Sequence, residues 1–200
     1  MADNEKKITI EIFRKKEPEE LTKSFADPES RCDVGSAAAM TAASAAALLA
    51  RAAAKCPAEG ERAERVAYIV RNAEILRSYM IHLIDEDVKS RGPLRRALKE
   101  GGEREIEAAR QPAVAIADEI VNMMGKLLEL GAELKPLAPA EARYLIASAA
   151  ELGMGAAKCC IPYILDMGSY SSDETYRYIL HRENEMTMEQ FKPLYEAIVG

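Results

Sequence analysis

The residues best suited to chemistry in this chain are two aspartates in the segment LIDEDVKS. Asp87 continues the apolar stripe of a predicted helix, because at about 100° per residue it lies within about 20° of both Leu76 and Met80. Asp85 falls instead on the polar side, beside Glu74. The pattern therefore predicts that Asp87 points toward the core or a cleft.

A carboxylate in that position needs a hydrogen-bonding partner, a cationic ligand or water. Two interpretations of Asp87 follow. It is an acid/base or the counter-charge of a cationic intermediate, or it pairs with an arginine such as Arg91 or Arg95 and has a structural role only.

A second candidate is the Gly35–Ser36 step, which opens a helix that carries no charge from Ser36 to Ala50. Asp33 or Ser36 is expected to cap this helix. Free N–H groups with little bulk in front of them attract an anion or the polar edge of a ligand. Packing alone is the alternative explanation of the step.

The small residues of this helix recur every four positions and let a neighbouring backbone approach closely. We therefore expect it to be the central helix of a bundle or to lie in a dimer interface. The repeating positions are Gly35, Ala39, Ala43 and Ala47.

Helical periodicity dominates the chain and predicts an all-α antiparallel bundle. The alternation of Ile8, Ile10 and Ile12 predicts a short extended arm before it. One domain is expected over residues 1–200, with the arm at 1–16, the bundle at 17–166 and the C-terminal helices at 167–200. Helices are predicted from Ser36 to about Lys55, from about Glu61 to Ser90, from Leu94 to Arg110, from Pro112 to the ELKPLAP break, from Pro139 through Leu165 with a kink or end near Pro162, and as two short C-terminal helices that begin at Ser171 and Thr187.

Composition narrows the classes of partner. The formal net charge of −6 disfavours nucleic acid, which requires a basic face. Two histidines make a histidine-based metal site improbable, and the four cysteines are expected to be reduced in a cytoplasmic protein. The charged start MADNEKK is not typical of a signal peptide, and no uninterrupted apolar run reaches membrane-spanning length.

Taken together, these stretches resemble the formiminotetrahydrofolate cyclodeaminase and methenyltetrahydrofolate cyclohydrolase family over roughly residues 17–165. LTKSFADPESRCDVGSAAAMTAASAAALLA is similar to the family's short helix, Pro-Gly-Gly-Gly-Ser loop and Ala-rich helix, and LIDEDVKS to its Leu-Ile-Asp-Glu-Asp-Ala segment. RQPAVAIADEIVNMMGKLLELGAE and ARYLIASAAELGMGAAKCCIPYIL resemble its later core helices.

The resemblance implies a cytoplasmic, all-helical homodimer that acts on a tetrahydrofolate derivative without a metal. Such a protein would be a cyclohydrolase or an ammonia-lyase type of cyclodeaminase. By this resemblance Asp87 and Asp85 are the catalytic residues. The same resemblance implies that the loop formed by Asp33, Val34, Gly35 and Ser36 binds the substrate.

The chain differs from the family pattern at several positions. Pro-Gly-Gly-Gly becomes Cys32-Asp33-Val34-Gly35, and Asp-Ala-x-Ala-Phe becomes the segment that runs from Asp87 to Arg91. Glu141-Ala142 stands where Ser-Asp is usual, and a later asparagine is replaced around Cys159–Cys160. The alternative is thus a family member without catalysis, which binds another ligand or scaffolds a partner.

Overall fold

A computed structural model describes residues 12–57 and 60–200, without the side chain of Glu61. Ile8 and Ile10 of the predicted arm lie outside the described residues, whereas Ile12 precedes a 3-10 turn, Phe13–Lys15, that packs on helix α3. The helices are α1, Pro18–Ala26; α2, Val34–Ala53; α3, Glu61–Glu100; α4, Glu103–Leu134; α5, Arg143–Ser169; and α6, Glu174–Val199, with 3-10 turns at Lys135–Leu137 and Ala140–Ala142.

The alanine-rich helix α2 is the centre of the bundle, as the sequence predicted. It packs against α3, α5 and α4, and small side chains allow this close three-sided contact. Leu49 is its one large side chain that is completely buried. Its other buried residues are Gly35, Ser36, Ala38, Ala39, Ala42, Ala43, Ala45, Ala46, Ala50, Ala52 and Ala53.

Proline does not end the long helices, which corrects several predicted boundaries. Helix α3 continues through Pro93 instead of stopping at Ser90, and α4 contains Pro112 instead of beginning there. Helix α5 likewise continues through Pro162 to Ser169. An internal proline costs about 3 kcal/mol, and the burial of neighbouring apolar side chains in the bundle outweighs that cost.

The start of α5 also differs from the prediction. The helix begins at Arg143, after a separate 3-10 turn over Ala140–Ala142, whereas Pro139 was expected to open it. Pro139 has an extended backbone and precedes the 3-10 turn.

The C-terminal region is one helix, α6, and not the two short helices that were predicted. Asp173, not Ser171, caps it, because its Oδ1 accepts hydrogen bonds from the N–H groups of Thr175 (2.9 Å) and Tyr176 (3.1 Å). Thr187 lies in the middle of the helix. The predicted second cap is therefore wrong.

Two glycines of α4 make room for α6. A Cβ atom on Gly125 would lie 2.6 Å from Phe191 Cε1, and one on Gly131 would lie 3.1 Å from Ile198 Cδ1. Phe191 and Ile198 are both buried. Helix α6 therefore packs on α4 through two side chains that rest directly on helix backbone.

Two segments, Val34–Ala53 and Ala140–Ser169, are long and apolar enough to cross a membrane by length and composition only, although charged residues interrupt both. Their mean hydropathies are only 1.3 and 1.2, and about half of each segment is buried inside the bundle. Core helices of a bundle have the same properties, so the observation is weak evidence for a membrane span.

Candidate functional site

The candidate site lies where the N-terminus of α2 meets the middle of α3. Asp87, on α3, is 1% exposed, so the prediction that it points inward is confirmed. Its Oδ2 accepts hydrogen bonds from the backbone N–H of Ser36 (2.9 Å) and from Ser36 Oγ (2.7 Å). The first turn of a helix carries partial positive charge, which favours a carboxylate in this position.

Gly35 is required for this junction because the Asp87 carboxyl group lies directly against its Cα. A Cβ atom at residue 35 would overlap Asp87 Oδ1 and would lie 2.7 Å from Asp87 Cγ. Gly35 therefore allows α2 and α3 to approach each other closely at this point.

The N–H groups of this helix end are largely engaged within the chain. Asp33 caps α2, with Oδ1 accepting from Val34 N–H at 2.7 Å, and the carbonyl oxygen of Asp33 accepts from Ala37 N–H at 3.0 Å. The sequence predicted free N–H groups at this helix end. The N–H groups of Val34 and Ser36 are instead paired with Asp33 and Asp87, so they are not free for a ligand.

Arg91 lies one turn after Asp87 on α3 and connects the two aspartates of the site. Its Nε donates to Asp87 Oδ1 at 3.3 Å, and its Nη1 lies 3.1 Å from Asp33 Oδ2. The guanidinium carbon is 4.1 Å from the ring centroid of Tyr163, on α5. Of the two arginines considered as ion-pair partners of Asp87, Arg91 is the one that pairs with it. Arg95 instead donates to the carbonyl oxygens of Pro28 and Glu29.

Two polar atoms beside this ion pair lack a hydrogen-bond partner among the described residues. They are Arg91 Nη2 and Tyr163 Oη, and both atoms are buried. A buried donor without an acceptor costs about 1–3 kcal/mol. Such atoms indicate a position where a water molecule or a ligand oxygen would be stabilised.

Burial determines the protonation equilibria of the site. Desolvation raises the pKa of Asp87, and the nearby Asp33 adds to this, while Arg91 and the hydrogen bonds from Ser36 oppose it. Desolvation also raises the pKa of Tyr163 to about 12 and that of Cys160 to about 12. Asp87 is therefore the carboxyl group of the site whose proton is held more tightly than in water.

Asp85 is separate from this cluster, and it is buried against Arg14, which the helical periodicity did not predict. It is 7% exposed because the 3-10 turn Phe13–Lys15 covers it. The backbone N–H of Arg14 donates to Asp85 Oδ1 at 3.1 Å, and Arg14 Nε lies 3.2 Å from Oδ2. Asp85 thus fixes the segment before α1 to α3.

Comparison with known proteins gives the decisive observation. The sequence pattern of the Formiminotransferase-cyclodeaminase family matches residues 18–185. The chain belongs to this family. The crystal structure of formiminotetrahydrofolate cyclodeaminase from Thermotoga maritima is similar to this one with a TM-score of 0.85, and at 19% identity the alignment covers 92% of this chain and 94% of that one. A search of curated proteins gave no match.

For a member of the Formiminotransferase-cyclodeaminase family, two differences from the sequence pattern turn out to be in contact. Asp33 caps α2 and Arg91 lies four residues after Asp87, and their side chains form an ion pair. Asp33 and Arg91 therefore belong to one arrangement of charged side chains around Asp87.

Sequence reasoning missed Tyr163, which approaches the site from α5. It noted Cys160 only as a difference from the family pattern and did not place it near Asp87. No local pattern links α5 to Asp87. The spacing of four residues that joins Arg91 to Asp87 was the only signal for this cluster within one element.

The four cysteines are free, as predicted: Cys32, Cys56 and Cys160 are buried, and Cys159 is exposed. Within residues 12–57 and 60–200, no group of three or more His, Cys, Asp or Glu side chains is placed to hold a metal ion.

Proposed function

We propose that this protein binds a tetrahydrofolate derivative at Asp87 and has cyclodeaminase-like or methenyltetrahydrofolate cyclohydrolase-like activity. The observation that supports it is the buried Asp87 carboxyl group at the N-terminus of α2, with its raised pKa. Family membership supports a folate as the ligand. A cytoplasmic location remains part of the proposal.

Both reactions involve a carbon atom bonded to two nitrogens, with positive charge spread over the three atoms. A fixed carboxylate stabilises that charge where it develops. A carboxyl group with a raised pKa can also give a proton to the leaving amine or take one from the attacking water. Ser36 would orient Asp87 by donating to the same oxygen through its N–H and its hydroxyl group.

A second candidate function is ligand binding or scaffolding without turnover. Arg91 favours it, because its Nε occupies Asp87 Oδ1 while Ser36 occupies Oδ2. Asp87 contacts no solvent in this arrangement and would act as a structural link between α2 and α3. Asp85 is proposed as catalytic only through the family pattern, and its contacts with Arg14 support a structural role.

The experiment that tests the proposal combines turnover with ligand binding. Purified protein is assayed with methenyl- and formimino-tetrahydrofolate, and reduced folates are tested by thermal shift. Asp87→Asn is expected to lower turnover by about 10²-fold or more. Asp85→Asn is the matched control and should lower it far less.

Binding without turnover in the wild-type protein would favour the second candidate function. If no reduced folate binds, the proposal fails.

We also propose that the protein is a homodimer through the part of α2 that the bundle leaves uncovered. This stripe carries no acidic residue and includes the small side chains of Ala37, Thr41, Ser44 and Ala47, which suits close packing against a second copy. Sedimentation equilibrium at micromolar concentration should give twice the chain mass, and a 22.0 kDa species alone would contradict it. The half-buried or exposed positions are Val34, Ala37, Met40, Thr41, Ser44, Ala47, Leu48 and Arg51.

A further inference from the structure

We infer that Arg91 determines which one-carbon group the site accepts. It favours a neutral group that accepts hydrogen bonds, such as a formyl group, over a cationic amidinium group. This inference rests on the proposed function, because it assigns the class of ligand that binds at Asp87. Arg91 is then a specificity-determining residue of the same site.

The first argument is the similarity between the guanidinium group and the ligand cation that Asp87 would otherwise stabilise. Both are planar, and both spread one positive charge over nitrogens attached to a single carbon. Arg91 lies against Asp87 Oδ1 with Nε at 3.3 Å, and Ser36 occupies Oδ2. The chain therefore already places one cation against Asp87, so a cationic ligand group would share this carboxylate with Arg91 and meet it as a like charge.

The second argument comes from the two buried donors without a partner. Arg91 Nη2 and Tyr163 Oη are both unpaired among the described residues, and Arg91 as a whole is only 6% exposed. A formyl oxygen can accept a hydrogen bond from such a donor. The carbon between two nitrogens of an amidinium carries no oxygen, so that group offers Arg91 Nη2 no acceptor.

The third argument concerns access to these donors. The side chain of Asp33 is 53% exposed and lies 3.1 Å from Nη1 of Arg91, whose own side chain is 7% exposed. Asp33 is the more exposed partner of this pair, while Arg91 lies on Tyr163. A ligand that reaches Arg91 Nη2 from this side must therefore displace Asp33 from both Arg91 Nη1 and the N–H of Val34.

The test compares three probes by isothermal titration: tetrahydrofolate, 5-formyltetrahydrofolate and 5,10-methenyltetrahydrofolate. Wild-type protein should bind the formyl compound more tightly than the methenyl cation. Arg91→Gln should reverse this preference, changing the ratio of the two dissociation constants by about tenfold or more, the scale of one charge-assisted hydrogen bond.

Two further variants separate specificity from folding. Arg91→Lys keeps the charge and should keep discriminating against the methenyl cation. Arg95→Gln is the matched control, since Arg95 lies one turn further along α3 and contacts only the loop carbonyls of Pro28 and Glu29 among the described residues. It should leave the ratio unchanged. Circular dichroism confirms that each variant is folded.

The outcomes distinguish this inference from the proposed function. Equal or tighter binding of the methenyl compound by the wild-type protein overturns the inference and leaves the proposed function standing. An unchanged ratio in folded Arg91→Gln does the same. If neither the wild type nor the variants bind any of the three probes, the proposed function itself fails, and the inference fails with it.

Discussion

Replacing Gly35 by alanine should weaken the junction between α2 and α3. The new Cβ atom would overlap Asp87 Oδ1 and lie 2.7 Å from Cγ, so the carboxyl group must move. It cannot move freely, because Asp87 is fully buried and held by Ser36 and Arg91.

The magnitude follows from three contributions. Overpacking a buried site costs about 1–3 kcal/mol, and losing one hydrogen bond to a charged group costs about 1.5–3 kcal/mol. Alanine favours a helix over glycine by about 1 kcal/mol, which offsets part of this. We therefore expect Gly35→Ala to lower the free energy of unfolding by about 2–4 kcal/mol.

Gly155→Ala is the matched control on α5. Nothing lies within 4 Å of a Cβ atom built on Gly155, so only the helix propensity changes. This variant should gain up to about 1 kcal/mol.

Urea denaturation measures both variants against the wild type. With an m-value of about 2 kcal/mol/M, the midpoint of Gly35→Ala should fall by about 1–2 M. An unchanged or higher midpoint at the same m-value would refute the reasoning, since it would mean that Asp87 moves aside at no cost.

Three other variants and reactions test the remaining structure. Phe191→Ala should destabilise the protein by about 3–4 kcal/mol and speed amide hydrogen exchange in α6 first, because the ring packs directly on Gly125; uniform exchange across all helices would contradict this. Iodoacetamide at about pH 8 should modify exposed Cys159 in the native protein, whereas Cys160, buried with a pKa of about 12, should react only after unfolding; peptide mapping decides. The hydrogen bonds from Arg110 lower the pKa of Glu107 below its ordinary 4.5. Ionised Glu107 therefore stabilises the folded protein above pH 4.5, and this stabilisation is lost as the pH falls through the lowered pKa. The stability difference between wild type and Glu107→Gln should therefore shrink in acid, and a difference that grows would contradict this assignment.

The two aspartates of LIDEDVKS show what periodicity can and cannot predict. Asp87 was placed correctly because the helical stripe on α3 is long and regular, and the core it faces is formed by α2. The burial of Asp85 was not predicted, because it depends on Arg14 and the turn before α1. That contact joins residues far apart in sequence and leaves no periodic pattern.

Helix boundaries were the least predictable part of the fold. Pro93, Pro112 and Pro162 act as local helix breakers in the sequence, yet each lies inside a helix longer than 25 residues. The competing energy comes from buried side chains along the entire helix, which a local rule does not include. The candidate site was likewise predicted from α2 and α3, while the contribution of Tyr163 on α5 was not.

The contact between Asp33 and Arg91 constrains how this chain can have changed by mutation. Asp33 is half-exposed and caps α2 by itself, so an aspartate there is tolerable before any arginine is present. Arg91 is buried and satisfies two of its nitrogens only when both Asp33 and Asp87 are in place. The acidic residue is therefore expected to have arisen first. Among descendants of the same ancestor, an arginine at position 91 should be found together with an acid at position 33, while the reverse association should be looser.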